Sequence, residues 1–557
     1  MRKQSIHVTA RSHLSTKAVT PTAWCKPYCA FILITLIMTV ACSGKPTDNF
    51  DAKESDVQGS VTYPSESATS PSASFDAPKS QPVSPAPTPL PGSYRIYLRP
   101  VIGNVGDVMP YYENGVFNVF HLSDYRRLGV RSVDIALTTT VDFTEYSPAV
   151  KVIEEGESYQ VDYALGTGSI IKDKEGRYHY FYTGFNGTVL KKPQQGVMHA
   201  ISDDMIKWKK QHDLTFYAPE DYTERTDFRD PNVIYIPERN EYWMTVSARK
   251  DYTAVIMLYT STDLYDWKLH EPLYEPREYG IMECTDLFKL GDKWYLIFSS
   301  EWTMHYRVAD SPDGPWETPA VEQLDGHAFY AAKTGGDSEK SYIMGWVPIK
   351  NPPTDGGGRD WGGNLAVHEL LQRPDGTLVT SLPRIMENRF GTADSPVPVS
   401  LTGDAIWENG TLTLDSSTGL AGAVFGRNEG ALLIDADITL SGNGRYAGFA
   451  VGIPDNEQFS KSLGVNINAR ERRLDFVAAT LDYLRIGIPA SWSPPVDIEE
   501  NQAKHVQILL ENDICTVYYA EEASLTARIY KMTNANWGFY ALEGQMQISN
   551  LTVRLLP

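Results

Sequence analysis

Short runs of apolar and aromatic residues recur along the middle of the chain, between about residues 95 and 390. Five of them have the alternating or clustered pattern of strands, and their starts are separated by 62, 64, 52 and 48 residues. The five runs are Val116–His121, Tyr178–Gly184, Tyr242–Ala248, Trp294–Ser299 and Tyr342–Trp346. Because helical periodicity is scarce in this region, the pattern predicts a repeated all-β unit.

A second signal follows three of these runs: a Ser-x-Asp triplet and then a tryptophan. The triplets begin at Ser202, Ser261 and Ser311, and the tryptophans are Trp208, Trp267 and Trp316. A period of about 50 residues with several strands in each repeat is typical of a β-propeller, and five repeats predict five blades. An array of β-sandwiches with coincidental Ser-x-Asp turns is the alternative.

From about residue 398 the pattern changes to short strands at close spacing, which favours a β-sandwich. The predicted strands include Thr411–Asp415, Ala431–Ile438, His505–Leu510, Thr516–Tyr519 and Gln547–Leu555. The predicted fold class is therefore all-β, with a five-bladed β-propeller over residues 93–395 followed by a C-terminal β-sandwich over residues 398–557.

The N-terminal part of the sequence predicts that the protein is exported from the cytoplasm. The apolar run Ala30–Ala41 has 12 residues, which is too short to span a bilayer but suits the core of a signal peptide. It leads into Thr39-Val40-Ala41-Cys42, which resembles a bacterial lipoprotein cleavage box with Cys42 as the lipidated residue. We expect a signal peptide over residues 1–42 and a disordered Ser- and Pro-rich linker over residues 43–92.

These two segments predict an extracytoplasmic protein that is lipid-anchored to the bacterial cell envelope, or secreted. An ordinary secretory signal or a short uncleaved anchor is the alternative. The net charge of −20 argues against nucleic acid and anionic membranes as partners. Membrane contact is therefore expected only through the lipid anchor, and the oligomeric state stays open.

The cysteines and histidines of the sequence indicate whether disulfides or a metal site are to be expected. Of the five Cys, only Cys284 and Cys515 lie in the predicted folded part, which excludes a disulfide framework but leaves a single bridge open. The 11 His are scattered without metal-ligand spacing. This usage of cysteine and histidine predicts no metal site.

Polar residues recur 9 to 13 residues before each aromatic run. They are Asp107, Ser169, Asp230, Glu283 and the pair Phe329-Tyr330. In a propeller the first strand of every blade lines the central channel, so equivalent positions would converge and three carboxylates would meet. Like charges at close range raise one pKa, which suits glycosidic cleavage by one ionised carboxylate and one protonated carboxylic acid.

Two neighbours are expected to divide these roles. Cys284, with apolar surroundings, would keep Glu283 neutral as the acid. Arg229 would help keep Asp230 and Asp107 ionised. Turn, salt-bridge and strand-end roles are the structural alternatives for Asp107, Asp230 and Glu283, respectively.

At this point the chain resembles glycoside hydrolase family 32, the fructofuranosidase, inulinase and levanase group. The family has an Asp in a W-M-N-D-P-N-G-like segment, an R-D-P triplet and an E-C pair. Here Asp107 stands for the first, Arg229-Asp230-Pro231 matches the second and Glu283-Cys284 matches the third, in the same order. The segment around Asp107 departs from the family, because Val105-Gly106 and Val108-Met109-Pro110 replace its flanks.

The resemblance implies a retaining mechanism in which Asp107 is the nucleophile, Glu283 the general acid/base and Asp230 the transition-state stabiliser. The implied substrates contain β-fructofuranosyl units, as in levan, inulin and fructo-oligosaccharides, and the implied mechanism needs no metal or organic cofactor. Besides Arg229, Ser169 and Cys284, four aromatic residues are candidate sugar contacts or plain blade core: Trp302, His327, Tyr330 and Trp361. Glycine runs on both sides of Trp361 predict a loop near the site.

Two other functions stay open. One is a propeller glycosidase of the arabinanase/xylosidase type, in which inversion needs a wider separation of the carboxylates. The other is a non-catalytic glycan-binding surface lipoprotein. The sequence does not separate levan from inulin or sucrose, endo from exo attack, or hydrolysis from fructosyl transfer.

Overall fold

The computed structural model describes residues 94–101, 103–125, 133–188, 193–220, 226–337, 340–427, 430–455, 459–481 and 494–557. The predicted signal peptide, the linker and Cys42 lie outside these ranges. Within them the chain is almost entirely β-structure, and its α-helix is a single turn, α1 (Arg384–Glu387). No helix of this part of the chain has the length and apolar character that a membrane span requires.

Between residues 104 and 309 the strands form successive antiparallel meanders. The first contains β1 (Asn104–Glu113), β2 (Val116–Asp124), β3 (Val133–Thr140) and β4 (Val150–Ile153). The second contains β5 (Ala164–Lys172), β6 (Tyr178–Phe185), β7 (Gln195–Ser202) and β8 (Lys209–Lys210). The third contains β9 (Phe228–Ile236), β10 (Glu241–Lys250), β11 (Thr253–Ser261) and β12 (Lys268–Leu269). The fourth contains β13 (Glu283–Leu290), β14 (Lys293–Ser300) and β15 (Thr303–Ala309).

A last meander follows: β16 (Tyr330–Gly336), β17 (Ser341–Asn351), β18 (Gly358–Gln372) and β19 (Leu378–Ser381). Strand β18 also pairs with β1, so the last and first meanders share one eight-stranded sheet. The first strands of the meanders contact one another in sequence, β1 with β5, β5 with β9, β9 with β13 and β13 with β16. Strand β16 in turn contacts β1, which closes the series.

Each predicted aromatic run lies within the second strand of a meander, which confirms it as a strand. Strands β6, β10, β14 and β17 are buried along almost their whole length. Strands that are covered on both faces carry mostly apolar side chains, because neither face meets water, although buried polar residues such as His179, Thr245 and Ser299 occur in them. This is why these second strands, and not the more polar first strands, dominate the hydrophobic pattern.

The Ser-x-Asp triplets are turns that end the third strands. Asp204 Oδ1 accepts hydrogen bonds from the amides of Ile206 and Lys207, at 2.9 and 2.7 Å. Asp263 Oδ1 does the same for Tyr265 and Asp266, at 2.8 and 2.9 Å. A short carboxylate side chain satisfies the amides of a tight turn in this way, so the repeated triplet marks the same place in successive meanders.

Residues 400–555 form two further sheets, which face each other across a shared apolar core. Their strands are β20 (Ser400–Thr402), β21 (Asp404–Glu408), β22 (Thr411–Asp415), β23 (Ala421–Arg427), β24 (Ala431–Ser441), β25 (Ala447–Ile453), β26 (Leu463–Asn468), β27 (Arg473–Thr480), β28 (Ala503–Glu511), β29 (Ile514–Tyr519), β30 (Ala523–Arg528), β31 (Asn536–Ala541) and β32 (Gln545–Leu555). The five strands predicted in this part are confirmed as β22, β24, β28, β29 and β32.

The six-stranded sheet has the order β20-β23-β31-β25-β26-β27, and the seven-stranded sheet has the order β21-β22-β32-β24-β28-β29-β30. Short 3-10 turns lie at Val161–Tyr163, His212–Leu214, Phe459–Lys461 and Tyr530–Met532. Cys284 and Cys515 are both buried free thiols, so the single bridge that the sequence left open is not formed.

Candidate active site

The same irregularity occurs near the start of each first strand: a β-bulge in which two residues face one residue of the second strand. The bulged pairs are Gly106-Asp107, Gly166-Thr167, Asp230-Pro231, Cys284-Thr285 and Ala331-Ala332. A bulge bends its strand and redirects the side chains around it. Since the first strands contact one another in a closed series, these five bulges bring their residues to one place.

The bulges revise the expected equivalence of the polar residues. Asp107 is the second residue of its bulge and Asp230 is the first residue of its own, whereas Glu283 and Tyr330 directly precede theirs. In the second meander the position equivalent to Asp107 is Thr167, two residues before the predicted Ser169. The carboxylates therefore meet although their positions along the strands differ.

Asp107 is half-buried and accepts a hydrogen bond at each oxygen. Thr167 Oγ1 donates to Oδ2 at 2.6 Å, and Trp346 Nε1 donates to Oδ1 at 2.9 Å. Burial raises the pKa of Asp107 from 3.8 to about 6; the negative charges of Asp230 and Glu283 add to this rise, and the two hydrogen bonds oppose it. Asp107 is thus ionised near neutral pH, but burial makes its negative charge unfavourable.

Asp230 is only 3% exposed and has a left-handed backbone, with φ 58°. Its amide donates to Thr183 Oγ1 at 2.8 Å, and its Oδ2 accepts from the amide of Cys284 at 2.8 Å. Burial raises the pKa of Asp230, while the nearby Arg229 guanidinium opposes that rise. Left-handed backbone at a residue other than glycine stores strain, which is common where side-chain direction matters.

Glu283 is bound at both oxygens. Arg229 donates from Nη2 to Oε1 at 3.0 Å, and the Tyr330 hydroxyl donates to Oε2 at 2.8 Å. The Glu283 side chain is 31% exposed. The expectation of apolar surroundings for Glu283 is therefore wrong, because a guanidinium and a phenol face it.

The predicted influence of Arg229 on Asp230 is present, because its charge opposes the rise in the pKa of Asp230, but Arg229 has closer carboxylate partners. It pairs with Glu283 and, through Nη1, with Asp227 at 2.6 Å, while its Nε lies 3.9 Å from Asp230 Oδ2. Burial alone would lower the pKa of Arg229. The negative charges of the surrounding carboxylates outweigh this effect and raise the pKa. Arg229 thus bridges the cluster, and its main partner is the predicted acid and not Asp107.

Aromatic side chains lie beside the carboxylates. Trp346 lies 5.7 Å from the Tyr330 ring, 6.0 Å from Trp302 and 6.2 Å from Trp361, measured between ring centroids. Trp302 is at the tip of the β14–β15 hairpin with φ 66°, and its ring lies 5.3 Å from that of Tyr330. Arg359 lies 5.9 Å from the centre of the Trp302 ring. These rings leave apolar surface beside the carboxylates, which suits the C–H faces of a sugar.

Trp361 is part of strand β18, so the predicted loop is wrong at this residue. Its ring lies against Gly106, where a Cβ atom would come within 2.3 Å of the indole. The departure from the family segment at Gly106 therefore has a structural consequence: the space that a side chain at 106 would fill is taken by Trp361.

The remaining predicted residues lie around this cluster. Ser169 is 8% exposed, and its hydroxyl accepts from the amide of Val233 at 2.8 Å, which ties two first strands together. The Cys284 thiol donates to Thr167 Oγ1 at 3.7 Å, and burial raises its pKa far above the usual range, so it is not a nucleophile. His327 Nε2 lies 3.4 Å from Thr303 Oγ1, and burial lowers the pKa of His327 to about 4.

Two residues at the core of the site were not predicted: Thr167 and Trp346, which hold the Asp107 carboxylate. Trp346 ends the last of the five aromatic runs, and Thr167 lies two residues before Ser169. Their contacts arise between meanders, which a single strand pattern does not reveal.

The arrangement suits acid–base chemistry with a covalent step. It combines a half-buried aspartate that accepts two hydrogen bonds, a partly exposed glutamate paired with an arginine, and a buried third carboxylate held by a backbone amide. Within the described ranges no group of His, Cys, Asp or Glu could hold a metal ion. The side chains present are those that glycosidic cleavage by two carboxylates needs.

Comparison with known proteins agrees with this chemistry. Residues 108–380 match the model of the glycosyl hydrolases family 32 N-terminal domain. The sucrose-6-phosphate hydrolase of Escherichia coli is 28% identical over 204 residues, which are 32% of this chain and 40% of that protein. The 6(G)-fructosyltransferase of Asparagus officinalis is 25% identical over 293 residues, which are 45% of this chain and 47% of that protein.

This chain thus spans less than half the length of these two relatives. The crystal structure of an exo-inulinase from Aspergillus awamori has the same fold, with a TM-score of 0.65 at 16% identity, over 83% of this chain and 98% of that one. The family-model match, taken with the R-D-P and E-C motifs at the bulges, shows that residues 108–380 of this chain belong to glycoside hydrolase family 32.

Proposed function

We propose that the protein is a retaining glycoside hydrolase that cleaves β-fructofuranosyl linkages in fructans, levan or inulin, or in fructo-oligosaccharides. The observation that carries this proposal is the meeting of Asp107, Asp230 and Glu283 at bulges, with donors on each carboxylate. The names of the relatives, a sucrose-6-phosphate hydrolase and a fructosyltransferase, support a fructosyl substrate.

In the first step Asp107 attacks the anomeric C2 of a fructofuranosyl unit, and Glu283 protonates the leaving oxygen. Thr167 and Trp346 hold the two Asp107 oxygens, so the carboxylate is oriented before substrate arrives. Its raised pKa of about 6 reflects incomplete solvation, which favours attack because bond formation removes the costly charge. Asp230 and Arg229 bind sugar hydroxyls, and the Asp230 carboxylate stabilises the positive charge that develops on the ring.

In the second step water replaces Asp107 on C2, and Glu283 accepts the proton of that water. Esterification removes the negative charge of Asp107, with which Glu283 interacts in the free enzyme. The Arg229 and Tyr330 contacts keep Glu283 in place for both proton transfers. One residue thus acts first as an acid and then as a base, as retention requires.

The same proposal includes a five-bladed propeller over residues 93–395 and a β-sandwich over residues 398–557. Five meanders, five equivalent bulges and the closed series of contacts among β1, β5, β9, β13 and β16 support the blade count. In this arrangement the eight-stranded sheet is the first and last blades joined by the β18–β1 pairing.

We further propose that the enzyme is anchored through a lipid on Cys42, outside the cytoplasm, with residues 43–92 as a tether. The apolar run before Cys42 and the Ser- and Pro-rich composition after it support this placement. A tethered enzyme of this kind would meet polymeric fructan at the cell surface.

The test incubates the purified protein with levan, inulin, sucrose, 1-kestose and arabinan and identifies the released sugars. We expect fructose or fructo-oligosaccharides from at least one fructan and none from the Asp107→Asn variant. Asp310→Asn is the matched control, because the Asp310 side chain is 88% exposed and pairs with Lys293 away from the cluster. Release of arabinose, or binding of a glycan without turnover, would contradict the proposal.

A further inference from the structure

A second ring of residues lies directly beyond the bulges. The first residues after the five bulged pairs are Val108, Gly168, Asn232, Asp286 and Lys333. Three of them are polar and buried: Lys333 is 2%, Asp286 is 5% and Asn232 is 7% exposed. A buried ammonium and a buried carboxylate on neighbouring first strands are costly unless each offsets the other.

Asp286 is held by two neighbouring first strands. Asn232 Nδ2 donates to its Oδ1 at 3.0 Å, and the amide and hydroxyl of Thr334 donate to its Oδ2 at 2.6 and 2.7 Å. Burial raises the pKa of Asp286, and the charge of Lys333 is the strongest opposing influence. The carboxylate therefore depends on Lys333 for its charge balance.

Lys333 also contacts strand β5, which carries Thr167. Its Nζ donates to the carbonyl of Gly168 at 3.0 Å, and Gly168 directly follows Thr167, which holds Asp107. Its charge opposes the rise in the pKa of Asp230 and of Cys284 that burial causes. The Lys333 ammonium is thus linked to both aspartates of the cluster, to one by charge and to the other through the backbone.

We propose that Lys333 is a positioning residue of the active site, which supplies the buried counter-charge for Asp230 and Asp286 and fixes the β5 backbone that presents Thr167 to Asp107. The inference rests on the function proposed above for its catalytic consequence only. The other charged groups that face Asp230 are Arg229 on its own strand, Glu283 on β13 and Asp107 on β1.

Replacing Lys333 by methionine keeps the length of the side chain and removes its charge. Deprotonation of Asp230 and Asp286 then lacks compensation, so the loss of stability in Lys333→Met should grow as the pH rises from about 4 to about 7. A packing role alone would give a loss that does not vary with pH. Lys333→Arg, which keeps the charge, should show a smaller pH-dependent loss.

The experiment measures denaturant midpoints of wild type, Lys333→Met, Lys333→Arg and Lys172→Met across this pH range. Lys172 is the control, because it pairs with Glu113 at 2.6 Å with a side chain that is 34% exposed. If Lys333→Met does not fold, the double variant Lys333→Met/Asp286→Asn, which removes both buried charges, is expected to fold. A pH-independent loss, or a double variant that also fails to fold, would overturn the proposal.

Activity gives the second readout. In Lys333→Met the acid limb of the kcat/KM profile should move to higher pH, because Asp230 holds its proton more tightly without the nearby positive charge. An unmoved limb would contradict the catalytic part of the inference. If the wild type released no fructose while the stability profile changed as expected, the proposed function would fail and the counter-charge role would stand.

Discussion

At the scale of single residues, the site depends on charged carboxylates whose burial is energetically unfavourable. Asp107 shows this most clearly: it is half-buried, accepts hydrogen bonds from two side chains and lies near two other carboxylates. Catalytic groups often carry such a penalty, because the interactions that prepare a reaction do not also optimise the resting state. The penalty can be measured without substrate.

Asp107→Asn should make the protein more stable at neutral pH while removing its activity. The folded-state pKa of Asp107 is about 6 and the ordinary value is 3.8, so the stability that this group contributes is fully present below pH 3.8 and lost as the pH rises through 6. The asparagine carries no charge at any pH. We expect the variant to exceed wild type by about 1–2 kcal/mol at neutral pH.

Chemical denaturation at several pH values checks this prediction. The advantage of Asp107→Asn should shrink as the pH falls from 6 towards 3.8. Asp310→Asn, at an exposed carboxylate, should follow wild type throughout. A variant that is less stable than wild type at neutral pH would show that the hydrogen bonds outweigh the burial of the charge.

At the scale of elements, the bulges decide which residues meet. Sequence reasoning found the strands, since the second strands are covered on both faces and so carry a strong apolar signal. It found Asp107, Asp230 and Glu283, since chemistry singles out carboxylates. It placed Ser169 at the position that Thr167 occupies, because the bulge at Gly166-Thr167 leaves no mark in the alternation of apolar and polar residues.

Partners across strands were harder to predict than the strands. Arg229 was predicted to act on Asp230 and Asp107; it does influence its neighbour Asp230, but its side chain also reaches the next first strand and pairs more closely with Glu283. The apolar environment expected for Glu283 came from its neighbour Cys284. In a strand, successive side chains point to opposite faces, so a neighbour in sequence says little about a side chain's surroundings.

The bulge at Gly106 yields a prediction about Trp361. A methyl group at residue 106 would come within 2.3 and 2.6 Å of two indole carbons, so Gly106→Ala should displace Trp361 and, through it, Trp346. Because Trp346 holds Asp107, we expect kcat/KM to fall by about tenfold or more. Steady-state kinetics on the best fructan checks this.

Gly356→Ala is the matched control, since nothing lies within 4 Å of a Cβ atom at that position. It should leave kcat/KM unchanged. Adding Trp361→Ala to Gly106→Ala removes the collision and should restore stability but not full activity. Normal kinetics in Gly106→Ala would mean that Trp361 does not shape the site.

At the scale of the whole molecule, the two-sheet part braces the strands that carry Trp346 and Trp361. Arg528, 1% exposed, donates twice to Asp513 at 2.9 and 2.8 Å and also to the Pro348 carbonyl at 2.8 Å. It further donates to Asn364 Oδ1. One apolar cluster joins Leu365 and Val367 of β18 to Leu433 and Leu509. The parts therefore share both a polar clamp and a core.

Arg528→Met should cost about 3–5 kcal/mol, because it removes the cationic partner of the buried Asp513 carboxylate, which keeps a hydrogen bond from the Tyr94 hydroxyl, and the donor to two carbonyls. Activity should fall with stability, since β17 and β18 lose a contact close to Trp346. Arg427→Met is the control: its pair with Asp455 has side chains 48% and 67% exposed, and its loss should cost less than about 1 kcal/mol. Equal losses in the two variants would contradict the clamp.

The central claim is that Asp107 forms a covalent bond to the fructosyl unit. The most direct test is rapid acid quench of the enzyme during turnover of a β-fructofuranoside with a good leaving group, followed by mass spectrometry of its peptides. The Glu283→Gln variant is used, because without its base the second step is slow while such a leaving group needs no acid. We predict one fructosyl unit on the peptide that contains Asp107. Fructose release with that peptide unmodified, or with the sugar on another residue, would contradict the claim.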